Sequence, residues 1–283
     1  MAESSAVLRV QLASSIEIMA TRVIADAALG TWLAPGTRVY LPDLGPKQSR
    51  AMPEAASKLK RMGARPVPHI AARRLASPDA LEARLAGLKG LTDDVLVIAG
   101  ETGEGACPFP STMDVLETGL LPKFGIKEIG VAGHPEGHSE MTEAETHEVL
   151  RQKAKIAAAQ SLNMRIVTQF FFDAKRALAW AAGLEGRGID APVHFGIAGP
   201  TDIATLMKYA ARCGVGSSAR MLRKRGLSML GLAFTDPSEE IAAAIESAIK
   251  APGAPNIEGL HIYPFGGVER SRDWLRRRGN WTA

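Results

Sequence analysis

Arg165-Ile166-Val167-Thr168-Gln169-Phe170-Phe171-Phe172-Asp173 is the stretch on which the reading of the chain turns. An apolar run ends at Val167 and passes into an amide, three consecutive phenylalanines and an acid. Only eight phenylalanines occur in a chain that is 5% aromatic, so three in a row are not background. Read as an extended strand, Gln169 and Phe171 fall on one face and Phe170 and Phe172 on the other. Asp173 is placed to cap a helix over Ala174 to Leu184. The stretch therefore predicts a strand that turns directly into a helix, with a polar amide at the rim of something apolar.

The same pattern repeats outward in both directions. Upstream lie a helix over Thr142 to Ala159, the loop Gly133-His134-Pro135-Glu136-Gly137-His138 and a strand over Glu128 to Ala132. Before them come a helix around Met113 to Leu121 and an apolar strand, Asp93 to Ala99, closed by Gly100-Glu101-Thr102-Gly103. Earlier strands read at Gln11 to Ile18, Thr37 to Leu41 and Pro66 to Ile70, with helices over Lys47 to Met62 and from Ser77-Pro78-Asp79 to Leu88. Downstream, a strand at Pro192 to Ile197 precedes helical material in Asp202 to Arg212, Ser217 to Leu230 and Pro237 to Ile249. An eighth strand, Glu258 to Tyr263, and a basic helix, Val268 to Arg278, close the chain. Eight apolar strands, each followed by helix, specify a (βα)8 barrel forming a single domain over residues 1–283; a doubly wound open sheet is the alternative.

At 46% hydrophobic and 23% charged the composition is that of a soluble globular protein. The net charge is +4, and its positive residues cluster only at Arg270, Arg272, Arg276, Arg277 and Arg278. That cluster reads as a solvated helix face, since no aromatic interleaving or nucleic-acid motif accompanies it. Cys107 and Cys213 lack the His/Cys spacing of a metal site. Residues 1–10 do not resemble a signal peptide, and no apolar run approaches the ~20 residues that cross a bilayer. The expectation is a cytoplasmic protein with neither nucleic acid nor membrane as partner. Parallel barrels carry their active sites where strands end, which directs attention to Glu17, Asp43, His69, Glu101, His134, Glu136, His138 and Gln169.

Those residues and their order bring a family into view. Ser15-Ile16-Glu17-Ile18, Pro68-His69, Gly100-Glu101, Ala132-Gly133-His134-Pro135-Glu136-Gly137-His138, Thr168 to Asp173 and Gly196-Ile197-Ala198-Gly199-Pro200 resemble the bacterial methylenetetrahydrofolate reductases, at similar spacing from Gln11 to Phe265. The resemblance implies a barrel that holds FAD and converts 5,10-methylenetetrahydrofolate to 5-methyltetrahydrofolate with NADH or NADPH. It also implies catalytic roles for Glu17, Glu101 and Gln169, flavin contacts at His69, Ile98, Gly100, Glu101, Ala132, His134, His138 and Lys155, and substrate contacts at Gln169 and Phe171. A homo-oligomer and tetrahydrofolate partners follow from the same likeness. Departures from the family pattern are Met19-Ala20 in place of a double proline, Glu101 for an aspartate, His134 for a tyrosine, and Gly266-Gly267 where an arginine is common.

The chemistry can be set against the residues separately. Opening a methylene bridge to an iminium needs a proton at a ring nitrogen, and Glu17 at an apolar strand end is placed to carry one. Gln169 offers a donor and an acceptor to a pterin edge or a carboxamide. The resemblance implies that folate and nicotinamide take turns in one pocket, and consistently no G-x-G-x-x-G follows a first strand, so a separate Rossmann site is not indicated. The enzyme would work as a reductase or, in reverse, as a 5-methyltetrahydrofolate oxidase. Two other classes stay open: a flavin-free folate-binding or methyl-carrier barrel, and a metal-dependent barrel lyase using His69, His134 or His138.

Overall fold

The apolar runs become eight parallel strands in a computed structural model that describes residues 13–101, 107–212, 237–249 and 256–278. They are β1 Ala13–Glu17, β2 Arg38–Leu41, β3 Arg65–Ala71, β4 Asp94–Ile98, β5 Glu128–Gly133, β6 Asn163–Thr168, β7 Val193–Ala198 and β8 Ile257–Tyr263. Each strand pairs with the next, and β8 pairs with β1 in the register Ser15↔His261, closing the barrel. The helices are α1 Ala20–Ala25, α2 Pro46–Arg61, α3 Pro78–Leu88, α4 Thr112–Glu117, α5 Leu120–Lys123, α6 Glu143–Ala159, α7 Ala174–Glu185, α8 Ile203–Arg212, α9 Pro237–Ile249 and α10 Val268–Arg277. The expected helix over Ser217 to Leu230 and residues 102–106 lie outside the described residues.

Helix starts follow local chemistry. The Asp173 carboxylate accepts the Arg176 N–H at 3.0 Å at the head of α7, and Thr142 with Glu145 forms a capping box on α6. Two elements depart from the sequence reading. The helix expected over Met113 to Leu121 is divided into α4 and α5 by Gly119, whose φ of +66° is left-handed. Helix α1 was not anticipated: it is six residues long, lacks a side-chain cap, and buries only Ala20 and Val23.

Alternate strand residues face opposite ways. One set, including Ile16, Val39, Val95, Val131, Ile166, Phe195 and Ile262, packs with the surrounding helices in the main core. The other fills the barrel. Tyr40, Val67, Leu96 and Val167 form a separate apolar cluster there. Below it, the Arg165 guanidinium donates to the Tyr40 hydroxyl at 2.9 Å and meets Asp94 at 2.8 Å. Arg38 joins Asp94 at 3.2 Å and Glu128 at 2.8 Å, while Arg65 reaches Glu128 at 2.6 Å. This ionic layer occupies the base, so only the opposite end, where strands run into the βα loops, is available for chemistry. Among the described residues no helix is long and apolar enough to cross a membrane.

Candidate active site

Glu17 ends β1 with its side chain 21% exposed, between two imidazoles. Its Oε1 lies 3.6 Å from His69 Nε2 on β3 and 3.6 Å from His261 Nε2 on β8. Burial raises the Glu17 pKa, and the nearby His69 only partly opposes this. Burial lowers His69 to about 4, with Glu17 opposing, and lowers His261 to about 3, with Arg165 adding to the effect. Near neutral pH both rings are therefore uncharged, and burial favours the neutral form of the carboxyl between them. The Tyr40 ring supports the pair edge-on, 4.4 Å from His261 and 6.0 Å from His69. Asp43, another strand-end acid, is spent on structure: it meets Arg84 at 2.9 Å and accepts from Ser49.

The stretch after β6 does not continue the strand alternation. The ladder between β6 and β7 stops after Ile166↔Val193 and Val167↔His194. Beyond it, Thr168 Oγ1 accepts the Gly196 N–H at 2.8 Å, and Thr168 C=O accepts the Tyr263 hydroxyl at 3.0 Å. Tyr263 crosses over Gly196 to do so; a Cβ there would overlap Thr168 O and lie 2.7 Å from the tyrosine ring. The chain then turns, pinned by Glu136, whose Oε1 accepts the Phe172 and Asp173 N–H groups at 2.9 and 2.8 Å. Gln169 is left half-buried at the rim, its backbone N–H bonded to Gly133 O at 2.8 Å and its side-chain amide making no hydrogen bond among the described residues. Phe171, the expected substrate contact, lies away from the rim. Its ring is 1% exposed in the barrel–helix core, 5.2 Å from Phe195, because the strand ends at Thr168 and the turn reverses its facing. Phe170 instead joins Tyr263 and Phe265 in an upper aromatic cluster.

A second group lies over β4 and β5. His134 and His138 stand edge to face at 4.7 Å. Burial, His138 and Lys153 together lower His134 to about 4. His138 Nδ1 accepts the Glu140 N–H at 3.1 Å, which puts the ring proton of the neutral form on Nε2 as a free donor. Lys153 is 8% exposed and makes no hydrogen bond among the described residues; burial lowers it to about 8. Lys155, the expected basic contact, faces solvent on α6, because residues two apart on a helix cannot share a face. Ala132 and Ile98 are half-buried at strand ends, and Gly100 takes φ +75° against Ala71. Glu101 is exposed and pairs with Arg74 at 3.4 Å, beside residues outside the described set.

The residues that sequence reading passed over are Ser15, Lys153 as the inward lysine, and His261. Ser15 and His261 sit one layer below the strand ends, where attention to C-termini alone does not reach. Parity could have found His261, since it shares a face with Tyr263. Among the described residues no group of three or more His, Cys, Asp or Glu side chains could hold a metal, so His69, His134 and His138 do not form one ligand set.

The comparisons with known proteins bear on the same region. A curated 5,10-methylenetetrahydrofolate reductase from Pectobacterium carotovorum subsp. carotovorum is 32% identical over 112 residues, which cover 40% of this chain and 36% of that relative's length. Two crystal structures of dihydropteroate synthase from Thermus thermophilus, one in complex with 6HMPPP, each cover 94% of this chain and 94% and 93% of theirs. Both are 12% identical to it, with TM-scores of 0.48 and 0.47. The family model described as methylenetetrahydrofolate reductase matches residues 120–263, half of the chain, taking in the PEGH loop, the whole of β6 with its TQFFFD turn, and β8 with His261. On that match, the chain belongs to the methylenetetrahydrofolate reductase family.

Proposed function

We propose that the protein interconverts 5,10-methylenetetrahydrofolate and 5-methyltetrahydrofolate, using FAD with NADH or NADPH. The observation that carries this is Glu17: a carboxyl at the open end of the barrel, its pKa raised by burial, facing two neutral imidazoles at 3.6 Å. Such an acid can deliver a proton to a folate ring nitrogen and so open the methylene bridge to an iminium. Family membership supplies the substrate class.

The residues over β4 and β5 suit a flavin dinucleotide. Lys153 is an enclosed ammonium lacking a counter-charge among the described residues, and His138, which like Lys153 lies near His134, offers an Nε2–H donor; together they suit a diphosphate. Ile98, Gly100 and Ala132 offer a low apolar floor for a ring system. Bound there, FAD would supply hydride transfer. The protein's own part is to bind and orient: Gln169 turns its free amide toward whichever substrate is present, folate or nicotinamide, and Glu17 holds the proton. Glu101 would reach the same space only by leaving Arg74.

Reconstitution tests the reading. The protein incubated with FAD should acquire a flavin spectrum that NADH or NADPH bleaches and methylenetetrahydrofolate restores. Tight folate binding without flavin uptake would point instead to the flavin-free barrel.

A further inference from the structure

The end of the barrel opposite Glu17 carries a depression of about 530 Å³ among the loops that lead into β3, β4 and β5. That volume lies within the ~300–1,000 Å³ of small-ligand sites. Its floor is apolar, because the half-buried Leu91 and Phe124 pack against the main core there beside the buried Pro66. Its rim is cationic. Lys60 near the end of α2, Lys89 after α3 and Lys127 before β5 are exposed, and none meets a carboxylate among the described residues. Of the residues that line the depression, only Asp93 is acidic.

Two of the cations are held in place. Lys60 Nζ donates to the Gly90 carbonyl at 2.7 Å, which ties its ammonium to the turn after α3. The Arg65 guanidinium, at the start of β3, gives Nη2 to Glu128 at 2.6 Å, while its Nε and Nη1 donors make no hydrogen bond among the described residues. A planar fork anchored on one side and free on the other suits a phosphate or carboxylate. The loop between α3 and β4 is fixed as well: Thr92 Oγ1 donates to Pro66 O at 2.6 Å, and Asp93 O accepts the Lys127 and Glu128 N–H groups at 2.8 and 3.0 Å. A preformed site loses little affinity to its own ordering.

We propose that this depression is a binding site for a small organic dianion with a flat apolar body, of which an aryl phosphate is the simplest form. The anionic group meets Arg65 and the lysines, and the ring lies on Leu91 and Phe124. Glu128 already answers the Arg65 charge, so the surplus is that of three ammoniums against Asp93, which sets the ligand at about two negative charges. Exposed lysines alone would make a solvated face, and an apolar floor alone would take neutral molecules. Their combination asks for both features in one ligand. The site lies at the far end of the barrel from the proposed reaction and does not depend on it.

Calorimetric titration of the full chain with 1-naphthyl phosphate at low salt and mildly alkaline pH, where the phosphate is close to doubly charged, tests the proposal. One-to-one binding is expected, at least about tenfold tighter than that of inorganic phosphate or 1-naphthol, and weakened by added salt. Lys89→Glu with Lys127→Glu should weaken it by at least about tenfold, and Lys89→Gln with Lys127→Gln by a smaller factor. Lys153→Met, at the other end of the barrel, should leave it unchanged. Absence of binding, equal affinity for inorganic phosphate, or binding that is lost in Lys153→Met and kept in the charge-reversed pair overturns the proposal. Should the charge-reversed pair not fold, the glutamine pair decides, and an unchanged affinity there overturns it equally.

Discussion

At Lys153 burial and charge pull against each other. A pKa lowered from 10.5 to about 8 means that the folded protein holds the ammonium at a cost of roughly 3 kcal/mol. The cost is present in full below about pH 8. Between pH 8 and 10.5 the unfolded chain binds a proton that the folded one has released, so it is relieved as pH rises. Lys153→Met should therefore stabilise the flavin-free protein at pH 7, by an amount that shrinks by pH 9.5 in urea titrations. The same variant should bind FAD or pyrophosphate at least tenfold more weakly by calorimetry. A destabilised Lys153→Met would show that the ammonium is already satisfied. Strand-end position alone places Glu17 and Gln169 at the open end of the barrel. Sequence reading favoured Lys155 over the enclosed Lys153, from which it differs only in the rotation of α6 about its axis, and could not reveal that His261 meets Glu17 from 244 residues away through barrel closure.

Two loops are joined at the scale of elements. The Glu136 carboxylate, from the loop after β5, takes both N–H groups that open the turn into α7. Glu136→Ala should cost about 2–4 kcal/mol in chemical denaturation, since two bonds to a charged acceptor are lost and the donors are left partly buried. Gln169 should lose its position with them, so KM for folate and for nicotinamide should rise together. Gly196→Ala tests the neighbouring junction. Its Cβ would meet Thr168 O and the Tyr263 ring, forcing β6 and β7 apart, and a drop in Tm of several degrees is expected. The PEGH and TQFFFD motifs were visible in sequence as separate signals. Their mutual bond was not, because it depends on β5 and β6 lying side by side.

For the whole molecule, the barrel was readable because every strand is buried on both faces and so appears as an apolar run, while helices between them show their caps. The ionic base was not readable: Arg38, Arg65, Asp94, Glu128 and Arg165 converge only when β2 through β6 curve around a common axis. Arg165→Met should destabilise the fold by about 3–5 kcal/mol by leaving the buried Asp94 with only part of its counter-charge, from Arg38, and Arg165→Met with Asp94→Leu should recover much of that loss. Against the upward push of burial, Arg65 and Arg38 hold Glu128 below its usual pKa, so its contribution is present above the ordinary glutamate range and lost as pH falls through the lowered value. This base leaves the opposite end for the proposed reaction, in which Glu17 is assigned the folate step alone. Anaerobic stopped-flow measurement of the two half-reactions in Glu17→Gln, reconstituted with FAD, tests that division most directly. Flavin reduction by NADH or NADPH should keep its rate, while reoxidation by methylenetetrahydrofolate should slow by about 10²–10⁴-fold. Equal loss of both half-reactions, or reoxidation at the wild-type rate, would contradict it.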